Sequence, residues 1–538
     1  MKMTVSQAMV ECLKAENVKV VFGYPGAAIC PFYDALLDAE NDIRQVLVRQ
    51  EANGGHAANG YARISGKPIA TSGPGATNLI TAIATAYADS IPIVCITGQV
   101  NTDQIGSDVF QEADITGSAE PFVKHSYLLK DPEDTARVFK EAFYIAGTGR
   151  PGPVLIDIPM DVQKSVIDFE YPEKCEIRSY KPTTKGNYVQ VRRVMAALEE
   201  AEKPLICIGG GVFAAHAENE IRELADLMQI PVITTMMGIS VFPDDDQLFC
   251  GMIGTHGVKM ANAAVNECDV LFLVGARVGD RAVKTPLALE KTTKIIHIDI
   301  DPAEIGKNIG ADLPLVGDAK LVLQQMTELA KPMKHDEWIA HIKTLGGERK
   351  YVEPAKGTVN PRVFIDRLAK KMPANVTVVA DVGQNQIWTC TEYKFRKEGR
   401  LLTSGGMGTM GYSVPAAIGA KMADNSRATV AICGDGAFQM SFMELATAVQ
   451  FGVDIKVVVM TNNRLGMVRE LQTNGYHDRQ TAVFLDGSPD FIKLAEAYGI
   501  PAMRVYDDDT MDKGVEMLAE HKGICLVEVV VDKDMPTL

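Results

Sequence analysis

The sequence predicts an α/β protein built from three doubly wound parallel-sheet domains. Its 538 residues are too many for one hydrophobic core. Short β-branched apolar runs alternate with helix-length segments, which is the pattern of parallel strands joined by crossover helices. Two polar stretches, from about 165 to 190 and 331–361, interrupt this alternation and are interpreted as linkers. The predicted domains are therefore 1–165, 190–330 and 360–538.

Composition excludes several classes of protein. The chain is 46% hydrophobic and 23% charged, as in ordinary globular domains. A net charge of −15 argues against a nucleic-acid-binding surface. The ten cysteines include no Cys-x-x-Cys pair, so neither a zinc site nor a disulfide framework is expected. With no apolar run of membrane-spanning length and a charged N-terminus, we expect a cytoplasmic protein without membrane or nucleic-acid partners.

The most informative stretch lies late in the chain. Apolar runs at Thr429–Cys433 and Ile455–Thr461 predict two parallel strands, joined by a helix at Phe438–Gln450. Asp435 and Asn462 then follow neighbouring strands at one edge of a sheet, where such sheets hold their ligands. A carboxylate beside an amide oxygen is the kind of ligand pair that Mg²⁺ takes.

Two glycines flank that aspartate. Gly434 and Gly436 leave the turn without side chains, so backbone N–H groups and the following helix N-terminus can face a diphosphate. The alternative is a tight strand-to-helix turn with a solvated aspartate. The Gly-Asp-Gly string alone leaves both interpretations open.

Glu51 is a candidate acid–base group in the first domain. It follows a predicted strand at Val46–Val48 and opens a helix. A glutamate there usually complements the helix dipole, but a shielded carboxylate can also exchange a proton with a cofactor ring. The same ambiguity holds for Lys124, since a lone lysine is most often a solvated surface charge.

Several uncommon strings follow one another along nearly the whole chain. They are Phe22-Gly-Tyr-Pro-Gly26, Glu51, Thr71-Ser-Gly-Pro-Gly-Ala-Thr-Asn78, Ile96-Thr-Gly-Gln-Val100, Phe110-Gln-Glu112, Gly149-Arg-Pro-Gly-Pro153, Asp381-Val-Gly-Gln384, Ser404-Gly-Gly-Met-Gly-Thr-Met-Gly411 and Gly434-Asp-Gly436. In their types and order, these strings resemble acetolactate synthase, also called acetohydroxyacid synthase, within the thiamin-diphosphate superfamily.

The resemblance implies a thiamin diphosphate held by the first and third domains with Mg²⁺. Glu51 would protonate its aminopyrimidine ring, and Met410, otherwise a core filler, would wedge between its two rings. The metal ligands would be Asp435, Asn462 and the backbone carbonyl of Arg464, with Asn463 as the neighbouring alternative to Asn462. The cofactor-binding positions would be Gly26, Asn78, Gln384, Asn385, Gly408, Met410, Gly434, Asp435, Gly436, Ala437, Asn462, Gly466 and Met467.

The central domain would resemble an FAD-binding one. The triple glycine beginning at Gly209 is by itself a weak dinucleotide signal. The family's Arg-Phe-Asp-Asp-Arg string here reads Arg277-Val-Gly-Asp280-Arg281. Implied FAD positions are Gly209, Thr255, His256, Gly275, Ala276, Arg277, Asp299, Ile300 and Asp318.

The implied reaction removes CO₂ from pyruvate and joins the remaining two-carbon unit to a second 2-oxoacid, giving 2-acetolactate for branched-chain amino-acid biosynthesis. The active sites would be shared between two chains of a homodimer or homotetramer, with a regulatory small subunit as a further partner. The second-substrate side would be lined by Lys124, Phe110, Gln111, Arg281, Met467 and Val468. Alternatives are another thiamin-diphosphate lyase, a pyruvate oxidase, and a non-catalytic cofactor-binding homologue.

Four departures from the family pattern bear on activity. Leu471 stands where many members carry a tryptophan that favours 2-oxobutyrate as acceptor, and Gln50 replaces a frequent histidine. The segment Ser65–Ile69 reaches the next turn early, which predicts a shortened core strand. The sequence ends at Leu538, before the tail that caps the site in many relatives. From these departures we expect a more open site.

Overall fold

A computed structural model describes residues 1–65, 69–72, 75–347 and 351–538, without the side chains of 69–72. Three six-stranded sheets follow one another along the chain. Neighbouring strands in all three are parallel, and helices connect them. The predicted fold class is therefore confirmed.

The first sheet organises the N-terminal part. Thr4 caps the first helix in a capping box with Gln7, and the strand Lys2–Thr4 pairs antiparallel with Val166–Asp168. The helices are Val5–Ala15, Cys30–Leu37, Glu51–Ser65, Ala76–Asp89, Ile115–Ala119, Thr135–Gly147 and Met160–Lys164. The strands lie in the order Arg44–Leu47, Val20–Tyr24, Ile69–Ser72, Val94–Gln99, Val154–Pro159 and His125–Leu128.

The strand predicted to be short is Ile69–Ser72, which has four residues. It lies between two longer strands, Val20–Tyr24 and Val94–Gln99. Residues 66–68 and 73–74, on which the rest of that prediction depends, lie outside the described residues.

The central sheet has the strand order typical of dinucleotide-binding folds, with the first strand in the middle. Its strands lie in the order Phe249–Met252, Val232–Thr234, Pro204–Ile208, Val270–Val274, Lys294–Asp299 and Leu313–Val316. The helices are Tyr188–Glu200, Gly211–Ala214, Glu218–Met228, Lys259–Glu267, Pro286–Leu289, Ala319–Thr327 and Asp336–Leu345.

The last of these helices corrects the prediction of a linker over 331–361. Trp338 and Ile342 are one turn apart on the helix Asp336–Leu345, and both are buried in the core of the central domain. The Trp338 indole N–H also donates to the Pro204 carbonyl at 3.0 Å. Ile339 also packs against the core of the central domain, and Trp338, Ile342 and Leu345 repeat at i, i+4 and i+7, so the apolar periodicity was a usable signal for this helix. Polar residues interrupted by glycine and proline on either side of it led to the interpretation as a linker.

The third sheet repeats the strand order of the first. Numbered along each chain segment, both follow the order 2-1-3-4-6-5. The helices are Pro361–Lys371, Gln384–Glu392, Ser413–Ala423, Asp435–Phe438, Leu445–Phe451, Gly466–Gly475, Phe491–Ala497 and Asp508–Glu520. The strands lie in the order Arg400–Thr403, Thr377–Ala380, Thr429–Gly434, Lys456–Thr461, Cys525–Val530 and Ala502–Val505.

The predicted single helix at Phe438–Gln450 is wrong. A short helix Asp435–Phe438 is followed by a 3₁₀ turn at Phe442–Glu444 and then by the helix Leu445–Phe451. The break has a tertiary cause, because the turn directs Glu444 into the first domain, where it accepts hydrogen bonds. Periodicity cannot reveal such a partner.

The first and third domains meet where the helices Glu51–Ser65 and Ser413–Ala423 cross. A side chain at Gly60 would place its Cβ 2.7 Å from the carbonyl carbon of Ala416. One at Gly419 would lie 2.6 Å from the carbonyl carbon of Ala57. The two main chains are thus in direct contact, which only glycine permits at these positions.

Two further findings concern the chain as a whole. Within the described ranges, no helix is both long enough and apolar enough to cross a membrane. All ten cysteines are free thiols, and most of them are buried.

Candidate functional site

The candidate residues share one position in the fold: they follow the carboxyl ends of strands. In the first and third sheets the strand order reverses beside the first strand, which is where open α/β sheets bind ligands. In the third domain this point lies between Thr377–Ala380 and Thr429–Gly434, next to Asp435. In the first domain it lies between Val20–Tyr24 and Ile69–Ser72, next to Gly26.

Asp435 lies at the centre of the third-domain edge. Its residue is only 2% exposed, and burial raises the pKa of its carboxyl to about 6. One oxygen accepts the Gly436 N–H at 2.9 Å. The other accepts the N–H groups of Asn462 at 3.1 Å and Asn463 at 2.6 Å. The two strand ends are therefore adjacent, as predicted.

The structure distinguishes the two asparagines. Asn462 is half-buried and donates its side-chain amide to Gln384 Oε1 at 3.2 Å, while Asn463 is exposed. The Asn462 Oδ1 accepts the Arg464 N–H at 3.1 Å. Asn462 is thus the asparagine whose side chain contacts another candidate cofactor-binding residue, Gln384.

Gln384 and Asn385 begin the helix that follows the first strand, but their amide nitrogens already have partners. Asn385 donates to the carbonyls of Asp381 and Ile432. Gln384 Nε2 lies 2.9 Å from the Met535 carbonyl and 3.1 Å from Glu470 Oε1. In this structure, therefore, both side chains direct their amide N–H groups at acceptors within the protein.

Glycines leave room around this edge. A Cβ on Gly466 would lie 2.5 Å from Gln384 Cδ and 3.2 Å from Asn462 Nδ2. A Cβ on Gly436 would lie 3.4 Å from the Met410 methyl. Gly408 has a φ of +71°, a conformation that favours glycine. The helix beginning at Gly466 also presents Met467, Val468 and Leu471, the last of which is 62% exposed.

Glu51 is the first residue of the helix Glu51–Ser65, which crosses the third-domain helix Ser413–Ala423. Its Oε2 accepts the Asn78 side-chain amide at 2.9 Å. A Cβ on Gly75, which precedes the helix Ala76–Asp89, would lie 2.7 Å from Glu51 Cγ. The carboxylate therefore rests against a glycine beside a helix N-terminus, where negative charge is favoured.

A cavity of about 390 Å³ combines residues of both domains. It is lined by Asn78, whose side-chain amide donates to Glu51, and by Met410, whose methyl group lies near Gly436. A second cavity, of about 480 Å³, opens at Asn462–Arg464 and is lined by the third domain alone. The first cavity is lined by Gln50, Ala52, Asn53, His56, Thr77, Asn78, Thr81, Thr409, Met410, Gly411 and Met440.

The residues predicted on the second-substrate side do not meet in one place. None of Lys124, Phe110, Gln111 and Arg281 lines either cavity. Phe110 is 86% exposed, and the side chain of Arg281 is 80% exposed, 3.6 Å from Asp280. Gln111 adopts a positive φ of 64° in the same loop as Phe110.

Lys124 differs from both interpretations offered by its sequence. Its ammonium donates to the carbonyls of Ile145 and Thr148, at the end of the helix Thr135–Gly147, and to the Tyr180 hydroxyl. Burial lowers the pKa of this amine to about 8. It is neither a solvated charge nor a group directed at a described cavity, because main-chain carbonyls hold it.

All the candidate FAD residues lie at or just beyond the carboxyl ends of the central strands. A Cβ on Gly209 would lie 2.5 Å from the Ala276 Cα and 2.7 Å from the Gly275 carbonyl carbon. The loops that carry Gly209 and Gly275 are in main-chain contact, so these glycines are explained without an FAD. Asp318 caps the helix Ala319–Thr327, and burial raises the pKa of Asp299 to about 6. The others, Thr255, His256, Arg277 and Ile300, are at least partly exposed.

Comparison with known proteins agrees with this arrangement. Three family models match: the N-terminal TPP binding domain of thiamine pyrophosphate enzymes over residues 3–118, their central domain over 191–326, and their C-terminal TPP binding domain over 381–529. A probable acetolactate synthase large subunit of Methanocaldococcus jannaschii is 43% identical over 98% of this chain and 92% of its own. The chain belongs to the acetolactate synthase family.

Other members of the acetolactate synthase family are similarly related. The large subunit of Mycobacterium tuberculosis is 42% identical over 99% of this chain and 88% of its own. That of Corynebacterium glutamicum is 43% identical over 94% of this chain and 83% of its own. The resemblance inferred from the sequence is therefore confirmed.

For this acetolactate synthase family chain, sequence reasoning missed two residues near Glu51. His56 lines the first cavity, its Nδ1 has no hydrogen-bond partner among the described residues, and burial lowers its pKa to about 4. Glu444 is buried against the start of the same helix. A histidine five residues after Glu51, among small residues, was a usable signal, whereas Glu444 gave none.

Proposed function

We propose that this chain is an acetolactate synthase catalytic subunit. It binds thiamin diphosphate and Mg²⁺, removes CO₂ from pyruvate and joins the remaining two-carbon unit to a second 2-oxoacid, giving 2-acetolactate when that acid is also pyruvate. The observation that carries this proposal is the similarity to acetolactate synthase large subunits over nearly the whole chain. The placement of Glu51 and Asp435 beyond the carboxyl ends of strands, in two sheets with the same strand order, supports it.

The chain's own oxygen atoms fit a magnesium ion. Asp435, the Asn462 Oδ1 and the Arg464 carbonyl supply the hard oxygen ligands that Mg²⁺ prefers. Burial alone disfavours the Asp435 carboxylate, so a cation at this point would offset its desolvation. Bound thiamin diphosphate supplies the nucleophilic carbon and the electron sink.

Glu51 is the proposed acid–base residue. Asn78 donates to its Oε2, and its Oε1, which lies against Gly75, would exchange a proton with the aminopyrimidine ring. Gly26 follows the neighbouring first strand, where its missing side chain would let that ring approach. Met410 and Gly408 of the third domain would orient the ring.

The test is a direct assay of the purified protein. With pyruvate, Mg²⁺ and thiamin diphosphate it should form acetolactate without consuming oxygen, and Glu51→Gln should abolish most of this activity. The control Glu40→Gln, at an exposed glutamate, should leave it unchanged. Oxygen consumption would indicate a pyruvate oxidase instead. An inactive wild type, or an active Glu51→Gln variant, would contradict the proposal.

We also propose FAD as the ligand of the central domain. The strand order of that sheet and the position of its candidate residues at one edge support the proposal, whereas the glycines do not. Purified protein should show flavin absorbance near 450 nm or gain thermal stability when FAD is added. Failure of both would remove FAD from the proposal and leave the thiamin reaction untouched.

The proposed site is completed by a second chain. The exposed Phe110 and Arg281 support this proposal, because they are free to be covered by a partner subunit. If sites are shared, mixing the inactive variants Glu51→Gln and Asp435→Ala should restore up to roughly a quarter of the wild-type activity, since half of the dimers are hybrids with one intact site. If each site lay within a single chain, mixing the two variants would restore no activity.

The acceptor and the cellular setting are further proposals. Leu471 is exposed on the helix that begins at Gly466, so Leu471→Trp should increase the use of 2-oxobutyrate over pyruvate as acceptor. The relatives are named large subunits, which supports a regulatory small subunit as a partner. We place the protein in the cytoplasm and in branched-chain amino-acid biosynthesis.

A further inference from the structure

Glu444 is a buried carboxylate that joins the third domain to the first. It is 1% exposed and ends the 3₁₀ turn Phe442–Glu444, nine residues after Asp435. Burial raises the pKa of its carboxyl, and the hydrogen bonds it accepts oppose that rise. A buried carboxylate is costly unless its oxygens are satisfied, and those of Glu444 are.

Its partners flank Glu51 on both sides. The Oε1 atom accepts the Arg49 backbone N–H at 2.9 Å and the Asn53 side-chain amide at 3.1 Å. Arg49 and Asn53 lie two residues before and two residues after Glu51. One carboxylate oxygen therefore holds both sides of the helix start that carries the proposed acid–base group.

The other oxygen is anchored within the third domain. Oε2 accepts the Thr447 hydroxyl at 2.6 Å, and this hydroxyl also lies 3.2 Å from the Leu47 carbonyl, at the end of the strand before Glu51. Asn53 is further held by its N–H, which donates to Gln50 Oε1 at 3.1 Å. The helix start is thus fixed against the segment that also carries the Asp435 turn.

We propose that Glu444 is a positioning residue for the reaction, which holds the start of the Glu51 helix, and with it the Glu51 carboxylate, at a set position against the third domain of the same chain. The proposal rests on the proposed function, since it assigns Glu51 the proton exchange. The charge at Glu444 also lies at a helix N-terminus, where it is favoured. Displacing a reacting group by about 1 Å can cost roughly 100-fold in rate.

Three variants separate positioning from charge. In Glu444→Gln, the amide oxygen can still accept from Arg49 and Asn53, and its NH₂ group can donate to the Thr447 hydroxyl. This variant should keep activity within about threefold. Glu444→Asp withdraws the carboxylate by one carbon, and Glu444→Ala removes it. Both should slow the reaction by about 10- to 100-fold.

The informative measurement is deuterium exchange at the reactive carbon of bound thiamin diphosphate. It needs no pyruvate, so it reports on Glu51 even if the substrate assignment fails. Glu444→Ala should slow exchange in the wild-type background but have little further effect in Glu51→Gln, because a residue that acts through Glu51 cannot matter once Glu51 is disabled. The matched control is Glu304→Ala, a buried carboxylate that joins Arg150 of the first domain to the central domain; it should not slow exchange.

Several results would overturn the proposal. Wild-type exchange in Glu444→Ala, or an equal slowing in both backgrounds, would make Glu444 merely structural. If Glu444→Ala does not fold, Glu444→Asp decides in its place, and equal rates for Glu444→Asp and Glu444→Gln would contradict positioning. Exchange that depends on Glu444 without acetolactate formation would uphold this inference while the proposed reaction failed.

Discussion

Gly60→Ala is a sharp test of the contact between the first and third domains. The new Cβ would lie 2.7 Å from the Ala416 carbonyl carbon and 2.8 Å from its Cα, about 0.7 Å short of ordinary contact at 3.4 Å. Because these are main-chain atoms, no side chain can turn away, and one helix must move. Overpacking of this kind costs about 1–3 kcal/mol, and we expect the upper end.

Helix propensity works in the opposite direction and sets the net effect. Alanine gains about 1 kcal/mol over glycine in a helix, so the net loss should be about 2 kcal/mol. For domains of this size that corresponds to a melting temperature lower by about 4–8 °C. The same displacement should weaken thiamin diphosphate binding, since the helix carries Glu51.

Differential scanning calorimetry with and without Mg²⁺ and thiamin diphosphate provides the assay. The control is Gly147→Ala at the end of the helix Thr135–Gly147, where a Cβ would meet nothing within 4 Å. It should be neutral or slightly stabilising. If Gly60→Ala melts at or above the wild-type temperature, the two helices are not in main-chain contact and the described crossing is wrong.

Three other predictions follow from single contacts. Asp435→Ala should weaken Mg²⁺-dependent binding of thiamin diphosphate by more than about 100-fold, measured by titration calorimetry; unchanged affinity would exclude it as a metal ligand. Trp338→Ala should cost about 3–5 kcal/mol, measured as an earlier urea transition, because the indole is buried in the central core; an unshifted transition would mean that its helix packs elsewhere. Burial lowers the pKa of His56 from 6.5 to about 4, so the unfolded chain binds its proton first and stability should fall as pH drops through this window. His56→Phe should lose less thermal stability between pH 7 and pH 5 than the wild type, and an equal loss would argue against a buried neutral imidazole.

The architecture was accessible from the sequence because parallel strands are buried on both faces. Runs such as Pro204–Ile208 and Val270–Val274 are continuously apolar, and their spacing predicts the crossovers. The helix Asp336–Leu345 was missed because polar residues interrupted by glycine and proline on both sides of it give the whole segment the composition of a linker. The break before Glu444 was missed because its cause lies in another domain.

Some features of the candidate site could be predicted from the sequence, and others could not. Asp435 and Asn462 are predicted to be adjacent because each follows the carboxyl end of one of two neighbouring parallel strands. The environment of Lys124 does not follow, because its acceptors include the carbonyls of Ile145 and Thr148, and main-chain atoms leave no mark in a residue pattern. Family resemblance implies that Gln384 contacts a diphosphate, but its hydrogen bond to the Met535 carbonyl joins residues 151 positions apart and leaves no pattern in the sequence.

The matching strand order of the first and third sheets has a mechanical consequence. Each sheet offers a ligand-binding point at the place where its strand order reverses, one next to Gly26 and one next to Asp435. A ligand that contacts both points at once binds tightly only when they lie one fixed distance apart. Any change that alters this distance, within one chain or between two, should therefore lower the affinity for the cofactor, whether or not it also slows the reaction.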